Sequence, residues 1–215
     1  MELNSDIFIA KLSALLSSEL PGKEAQLKMS RFGRLTSIPD GYKVSAILLL
    51  LFPKENELHF VLTKRTSKYP GDIHSGQISF PGGSRESNDA ELFHTALRET
   101  HEEIGVTSDK IKILGQLSEL YIPVSNFMVY PFVGFIDHQP FYIPQVDEVD
   151  EIIEVSIDLL LDPATIHFKD MKIRDGYILK DIPYFNLYNH VVWGATAMML
   201  NEFKEIIEQI KPDKS

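Results

Sequence analysis

A continuous apolar run constrains the fold of this chain more than any other feature. Residues Tyr42 to Phe52 read YKVSAILLLLF, a run that is too short to span a membrane. An apolar run of this length with branched side chains is typical of a strand that is buried within a sheet. A turn signal at Asn56-Glu57 follows, and Leu58 to Arg65 (LHFVLTKR) alternates as the second strand of a hairpin. The sequence therefore predicts a buried β-hairpin in the first third of the chain.

Helices and further strands are predicted on both sides of this hairpin. The spacing of apolar residues predicts helices over Asp6 to Leu20, Asp89 to Ile104 and Trp193 to Ile210, and a helical turn at Asp158 to Leu161. Strands are predicted over Gln77 to Phe80, Ile111 to Tyr121, Met128 to Ile136 and Val149 to Val155, and as two or three short runs within Ile166 to Asn186, with a turn at Asp175-Gly176.

The order of these elements indicates an α/β fold, in which a mixed β-sheet is sandwiched between helices. No Pro/Gly/Ser-rich linker or low-complexity run divides the sequence. We therefore predict a single domain over residues 1–215, with residues 1–41 as an N-terminal helical extension.

The composition limits the function classes. A net charge of −10 argues against general binding to nucleic acid or to an anionic membrane, because either would need a basic surface. The sequence has no cysteine, which excludes disulfides and thiolate metal sites. It also lacks the pattern of a signal peptide and any apolar stretch of membrane-spanning length. These observations predict a cytoplasmic protein whose anionic ligands would have to be met by local cations.

The strongest chemical signal lies in the stretch from Gly82 to Val106. In a helix over Asp89 to Ile104, Glu99, Glu102 and Glu103 share one side, at the end where the helix dipole disfavours anions. One interpretation is a solvated acidic face. The other is a site for a hard divalent cation, because oxygen ligation would turn the repulsion among the carboxylates into binding.

Arg98 lies one turn before Glu102, so we expect the two side chains to pair and to leave Glu99 and Glu103 freer for metal.

The residues Arg98-Glu99-x-x-Glu102-Glu103-x-Gly105, preceded by Gly82-Gly83, resemble the Nudix box. The spacing from Gly83 to Arg98 is one residue longer than in the usual box, and Asp89 stands where that box has a Glu. This longer form and the preceding HSGQISFPGG resemble the coenzyme A pyrophosphatase branch of the family.

The resemblance implies the Nudix fold, with residues 82–106 as the box, and hydrolysis of a pyrophosphate bond in a nucleoside diphosphate conjugate. It implies Mg²⁺ or Mn²⁺ held by Glu99, Glu102 and Glu103, with a main-chain carbonyl near Gly83 completing the site. The ion would make a bound water more acidic, and a carboxylate would take its proton. Glu148 in Asp147-Glu148-Val149 matches the branch and is our first candidate for this general base, with Glu102 as the competing candidate and Arg98 supporting the catalytic carboxylates.

For the branch, the implied substrate is coenzyme A, cut to 3′,5′-ADP and 4′-phosphopantetheine. Arg65 matches the Arg of the branch's Leu-Thr-x-Arg segment, and we expect Lys64, Lys68 and His74 to contact the substrate with it. The chain departs from the branch at Asp72, where an Arg is usual, in a segment that is two residues longer than the pattern. We favour a turn at Pro70-Gly71 that points Asp72 away and lets Lys64, Arg65 or Lys68 supply the missing charge. The alternative is an enzyme that does not prefer a 3′-phosphorylated substrate.

Two alternatives stay open. The chain could act on another nucleotide conjugate, such as ADP-ribose or a dinucleoside polyphosphate, or it could bind nucleotides without catalysis. A homodimer is likewise an open alternative to a monomer.

Overall fold

The structure is a computed structural model that describes residues 5–31, 38–66, 76–172 and 176–210. Its helices are α1 (Ser5–Leu16), α2 (Gly22–Leu27), α3 (Leu92–Ile104), α4 (Ile157–Leu161) and α5 (Gly194–Glu208). Its strands are β1 (Lys43–Lys54), β2 (Glu57–Arg65), β3 (Ile78–Ser79), β4 (Gly82–Ser84), β5 (Lys112–Gln116), β6 (Leu120–Ile122), β7 (Phe127–Phe135), β8 (Val149–Ser156), β9 (Ile166–Lys172), β10 (Ile178–Leu187) and β11 (His190–Trp193).

Over the described ranges the strands form two sheets. The larger has eight strands in the order β3-β2-β1-β7-β5, with β4 also pairing with β1, β6 with β7 and β8 with β2. β1 is parallel to β7 and antiparallel to β2, so this sheet is mixed, as predicted. The smaller sheet has the antiparallel order β11-β10-β9.

The apolar run lies at the centre of the large sheet because both of its faces are covered. Leu48 and Leu50 pack in a cluster with residues of α3, whereas Leu49 and Leu51 pack in a second cluster with residues of α1 and α5. All four side chains are fully buried. Since successive side chains of a strand point to opposite faces, a strand between two helical layers must be apolar throughout. The predicted α/β class and the predicted buried hairpin are thus confirmed.

Two boundaries differ from the sequence predictions at the N-terminal end of the fold. α1 ends at Leu16, not at Leu20, and the short helix α2 follows it. The strand predicted over Ile111 to Tyr121 is divided into β5 and β6.

The division of that strand has a physical reason at Ser118. Its backbone N–H donates to Glu202 Oε1 at 3.1 Å, and its carbonyl accepts from Gln26 Nε2 at 3.1 Å. Glu202 is fully buried and also accepts from the backbone N–H of Gly22 and from Gln26 Nε2. The backbone of Ser118 is therefore bonded to α2 and α5 and leaves the sheet there.

Two further differences lie near the C-terminal end. The strands within Ile166 to Asn186 are β9 and β10, and the predicted turn residue Asp175 lies outside the described residues. β11 was not predicted, and Trp193 is its last residue, so the final helix begins at Gly194. In the described part of the chain no helix has the length and apolar character needed to cross a membrane.

Candidate active site

Two glycines bring the backbone against the carboxylate-bearing helix. In β4, Gly82 pairs with Ile47 and Gly83 with Ala46 of β1. Gly82 has φ +156°, and a Cβ there would lie 2.5 Å from the carbonyl oxygen of Ala46. A Cβ on Gly83 would overlap the carboxylate of Glu99. At Gly82, where the neighbouring atoms are backbone, only glycine therefore allows this close approach, and Gly83 then lies beside Glu99, one of its predicted companions in the metal site.

Arg98 organises the acidic side of α3. Its guanidinium donates to both carboxylate oxygens of Asp89, at 3.2 and 3.1 Å, and to the carbonyl oxygen of Ser84 at 2.9 Å. The hydrogen bonds from Arg98 lower the pKa of the Asp89 carboxyl to about 2, and those to Asp89 raise the pKa of Arg98. Asp89 also accepts from Thr95 Oγ1 at 2.9 Å. The loop over residues 84–89, which we call the box loop, and the first turns of α3 are thus joined through one buried carboxylate.

The same guanidinium binds two of the three box glutamates. Arg98 Nη1 lies 2.8 Å from Glu102 Oε2, which is the expected contact, and 3.0 Å from Glu99 Oε1. The expectation that Arg98 would leave Glu99 freer is therefore wrong. The reason is geometric, because one nitrogen of the planar guanidinium reaches both carboxylates on the same side of the helix.

Glu103 is the buried member of the group, at 3% exposure. Its Oε1 lies 3.7 Å from Arg65 Nη1, and its Oε2 has no hydrogen-bond partner among the described residues. Burial raises the pKa of Glu103 to about 8, against the opposing charge of Arg65, and the charges of Glu99 and Glu148 raise it further. Burial also raises the pKa of Glu99. Two carboxyls at the end of α3 therefore ionise unfavourably without a further cation.

The chemistry of these residues fits a divalent cation. A buried carboxylate oxygen without a donor, beside a second carboxylate whose pKa is raised, is what a hard oxygen-ligated ion would stabilise. Across the described ranges, no three Asp, Glu or His side chains are already arranged to hold an ion. Arg98 contributes to this absence, because its guanidinium is hydrogen-bonded to Glu99 and Glu102.

Arg65 and Lys64, both predicted to contact substrate, point to opposite faces of the large sheet. Arg65 ends β2 and faces Glu103. Lys64 precedes it, and its Nζ lies 4.0 Å from Glu151 Oε2. Glu151 Oε1 is in turn 3.4 Å from His190 Nε2 of β11. Because neighbouring strand residues alternate in direction, the structure brings Arg65 to the box and does not bring Lys64 there. Lys68, His74 and Asp72 lie outside the described residues.

Glu148 reaches the site on an irregular segment, residues 141–148, which we call the strap. The strap lies over the C-terminal end of α3, where Gln145 N donates to the carbonyl oxygen of Glu103 at 2.8 Å. The carbonyl of Glu148 accepts from Thr66 N, next to Arg65, at 2.9 Å. The Glu148 side chain is exposed, yet its charge raises the pKa of both Glu99 and Glu103. The predicted general base therefore stands near the box carboxylates.

Sequence reasoning missed the strap itself. The available signal was the end of α3 at Gly105, where the last carbonyls of any helix need donors from outside it. Nothing in the sequence of residues 141–148 identifies it as the source of those donors.

A mixed sheet between helices, with carboxylates at a helix end that face the guanidinium of Arg65, suits a hydrolase that cleaves phosphoanhydride bonds with a divalent cation. The chain belongs to the Nudix family: the model of the NUDIX domain matches residues 41–181. It is a Nudix pyrophosphohydrolase of the coenzyme A pyrophosphatase-like branch, as predicted.

Relatives agree with this assignment, and a solved structure shares the fold. The chain is 33% identical over 186 residues to the mitochondrial coenzyme A diphosphatase NUDT8 of Mus musculus, covering 86% of each chain. It is 29% identical over 172 residues to the uncharacterized Nudix hydrolase NudL of Photorhabdus laumondii, covering 80% of this chain and 88% of that protein. The fold is similar to the crystal structure of the MutT protein from Methanosarcina mazei, with a TM-score of 0.51 at 19% identity, covering 82% of this chain and 100% of that one.

Proposed function

We propose that this enzyme hydrolyses the pyrophosphate bond of coenzyme A, releasing 3′,5′-ADP and 4′-phosphopantetheine. The observation that carries the proposal is the contact of Arg65 Nη1 with Glu103 Oε1, at 3.7 Å, at the end of α3. Glu148 is near enough that its charge raises the pKa of Glu103. A cation for phosphate oxygens, a buried carboxylate with an unbonded oxygen and a solvent-exposed acid are thereby close together. The name of the mouse relative supports coenzyme A as the substrate.

In this proposal Glu99, Glu102 and Glu103, with the main-chain carbonyl of Gly83, hold Mg²⁺ or Mn²⁺. A bound divalent cation supplies positive charge to the phosphate oxygens and makes a water molecule more acidic. The raised pKa values of Glu103 and Glu99 support the assignment, because both side chains would gain from a nearby positive charge.

The side chains of the protein carry the remaining steps. Arg65 binds phosphate oxygens through its guanidinium, and Arg98 orients Glu99 and Glu102. Glu148 takes a proton from the attacking water. The oxygen of that water forms a bond to phosphorus, in line with the bond from phosphorus to the bridging oxygen, which breaks. Glu102 stays the competing candidate for the base. Its ion pair with Arg98 counts against it, because its carboxylate is already engaged by the guanidinium.

We also propose that Lys68 and His74 contact the substrate. Lys64 would not contact it directly, since its side chain pairs with Glu151 on the other face of the sheet. Asp72 is proposed to point away from the substrate, with Lys68 or Arg65 meeting the 3′-phosphate.

The test is the formation of cleavage products, which are 3′,5′-ADP and 4′-phosphopantetheine for coenzyme A, from a panel of coenzyme A, ADP-ribose and dinucleoside polyphosphates. It is run with and without Mg²⁺ or Mn²⁺, alongside binding of the same compounds. We expect metal-dependent turnover with coenzyme A as the best substrate, and its loss in Glu103→Gln. Glu57→Gln, at the exposed start of β2, is the matched control and should behave as the parent. Faster turnover of another compound would refute coenzyme A as the preferred substrate. Binding without turnover of any compound would refute the proposed catalytic activity.

Three further predictions accompany this proposal. A single domain over residues 1–215 predicts one cooperative unfolding transition. The cytoplasm stays the predicted compartment, although the mouse relative is named as mitochondrial, and cell fractionation tests it. A homodimer is tested by light scattering of the purified protein.

A further inference from the structure

The strap is bonded directly to the backbone of the carboxylate-bearing helix. Ile143 N donates to the carbonyl oxygen of Ile104 at 2.9 Å, and Gln145 N donates to that of Glu103 at 2.8 Å. These carbonyls belong to the last turn of α3, where no intrahelical donor is available. The strap therefore supplies the donors that the end of the helix lacks, and the two are joined by these hydrogen bonds.

A continuous set of backbone hydrogen bonds leads from this junction to Glu148. The carbonyl of Gln145 accepts from Glu148 N at 2.9 Å and from Val149 N at 2.8 Å, which closes a turn immediately before β8. The carbonyl of Glu148 then accepts from Thr66 N at 2.9 Å. The main chain of Glu148 is thus held on one side by the box helix, through Gln145, and on the other by the end of β2.

Gly105 decides how closely the strap approaches. It ends α3 in the left-handed region, at φ +76°, and its N–H donates to His101 O at 2.9 Å. A Cβ at this position would lie 2.8 Å from Ile143 Cβ, 3.0 Å from Ile143 N and 3.1 Å from Ile143 O. Two of these three neighbours are backbone atoms of the strap, so a side chain at residue 105 would push the strap's main chain away from the helix.

We propose that Gly105 is a positioning residue for the general base. By leaving space for Ile143, it lets the strap bond to the end of α3 and so fixes Glu148 beside the box carboxylates. This inference rests on the proposed function, because it concerns the same site, and it adds a role that the resemblance did not assign. A displacement of about 1 Å at a catalytic group can cost roughly 100-fold in rate.

The structure offers a matched control for the substitution Gly105→Ala. Gly41 has nearly the same backbone conformation, φ +78°, and a Cβ there would meet nothing within 4 Å. Gly41→Ala therefore carries the cost of a left-handed alanine without contact with the strap, whereas Gly105→Ala carries both. We expect similar losses of stability from backbone strain, but a roughly 10- to 100-fold lower kcat in Gly105→Ala alone.

A double-mutant cycle with Glu148→Gln separates positioning from general damage. If Gly105 acts through Glu148, Gly105→Ala should lower kcat in the parent but hardly further in Glu148→Gln, and Mn²⁺ affinity should stay near that of the parent. Equal losses of kcat in both backgrounds, or a loss of Mn²⁺ affinity, would overturn the inference.

Amide hydrogen exchange of residues 143–149 in the full chain supplies a readout that does not depend on turnover. We expect faster exchange of the Gln145 and Glu148 amides in Gly105→Ala than in Gly41→Ala or the parent. Unchanged exchange would refute the positioning role even if coenzyme A hydrolysis is observed. A parent that hydrolyses no compound of the panel, while exchange changes as expected, would instead refute the proposed function.

Discussion

Without bound metal, Glu103 should make the protein less stable as the pH rises. Its pKa is raised from an ordinary 4.5 to about 8 in the folded state, mainly by burial. Between these values the folded chain binds more protons than the unfolded chain, so the free energy of unfolding falls with increasing pH. At 1.36 kcal/mol per unit of pKa, the expected loss between pH 5 and pH 8 is about 3 to 4 kcal/mol.

The perturbation is Glu103→Gln, which keeps the shape of the side chain and removes its ionisation. Urea unfolding in the presence of a chelator, at pH values from 5 to 8, should give a flatter pH dependence for this variant than for the parent. Glu57→Gln, whose side chain is exposed, should follow the parent. Saturating Mg²⁺ should remove most of the difference between the parent and Glu103→Gln at pH 8. Parallel pH profiles for the parent and Glu103→Gln would refute the reasoning from burial.

Three other predictions follow from the same site. Glu99→Gln should lose most turnover at limiting Mg²⁺ while its unfolding transition stays cooperative; parent-like turnover would exclude Glu99 from the metal site. Asp89→Asn should cost about 2 kcal/mol of stability near pH 7. The lowered pKa of Asp89 stabilises the fold above the ordinary pKa of the group, and this contribution is lost in acid. Urea midpoints like those of the parent at pH 7 would contradict the contact with Arg98. Comparison of kcat/KM for coenzyme A and its 3′-dephospho form, in the parent, Arg65→Ala and Lys68→Ala, should show a preference for coenzyme A that at least one variant reduces; a parent without that preference would remove coenzyme A as the substrate.

The features that the sequence predicted well depend on local geometry. The run from Tyr42 to Phe52 indicates a strand covered on both faces, because side chains of a strand alternate and every position from Ala46 to Phe52 is apolar. The pairing of Arg98 with Glu102 follows from a spacing of four residues on one helix. Neither property requires knowledge of distant parts of the chain.

Local geometry also explains one error. Arg98 was expected to leave Glu99 freer, since it lies one turn before Glu102 and pairs with it. The guanidinium nevertheless reaches Glu99, because Asp89 and the carbonyl of Ser84 hold it over that side of α3. Its position is determined by the box loop together with the helix.

The sequence by itself therefore determined the α/β class, the central hairpin and the helix on which three carboxylates share one side, because these follow from periodicity over a few turns or strand residues. Only the tertiary structure decided that Arg65 faces Glu103, that Lys64 points to Glu151, and that the strap brings Glu148 to the end of α3. Each of these contacts joins residues far apart in the chain. They depend on how the strands pair and on which segment donates hydrogen bonds to the carbonyls at the helix end. The periodicity of a single element gives no information about either.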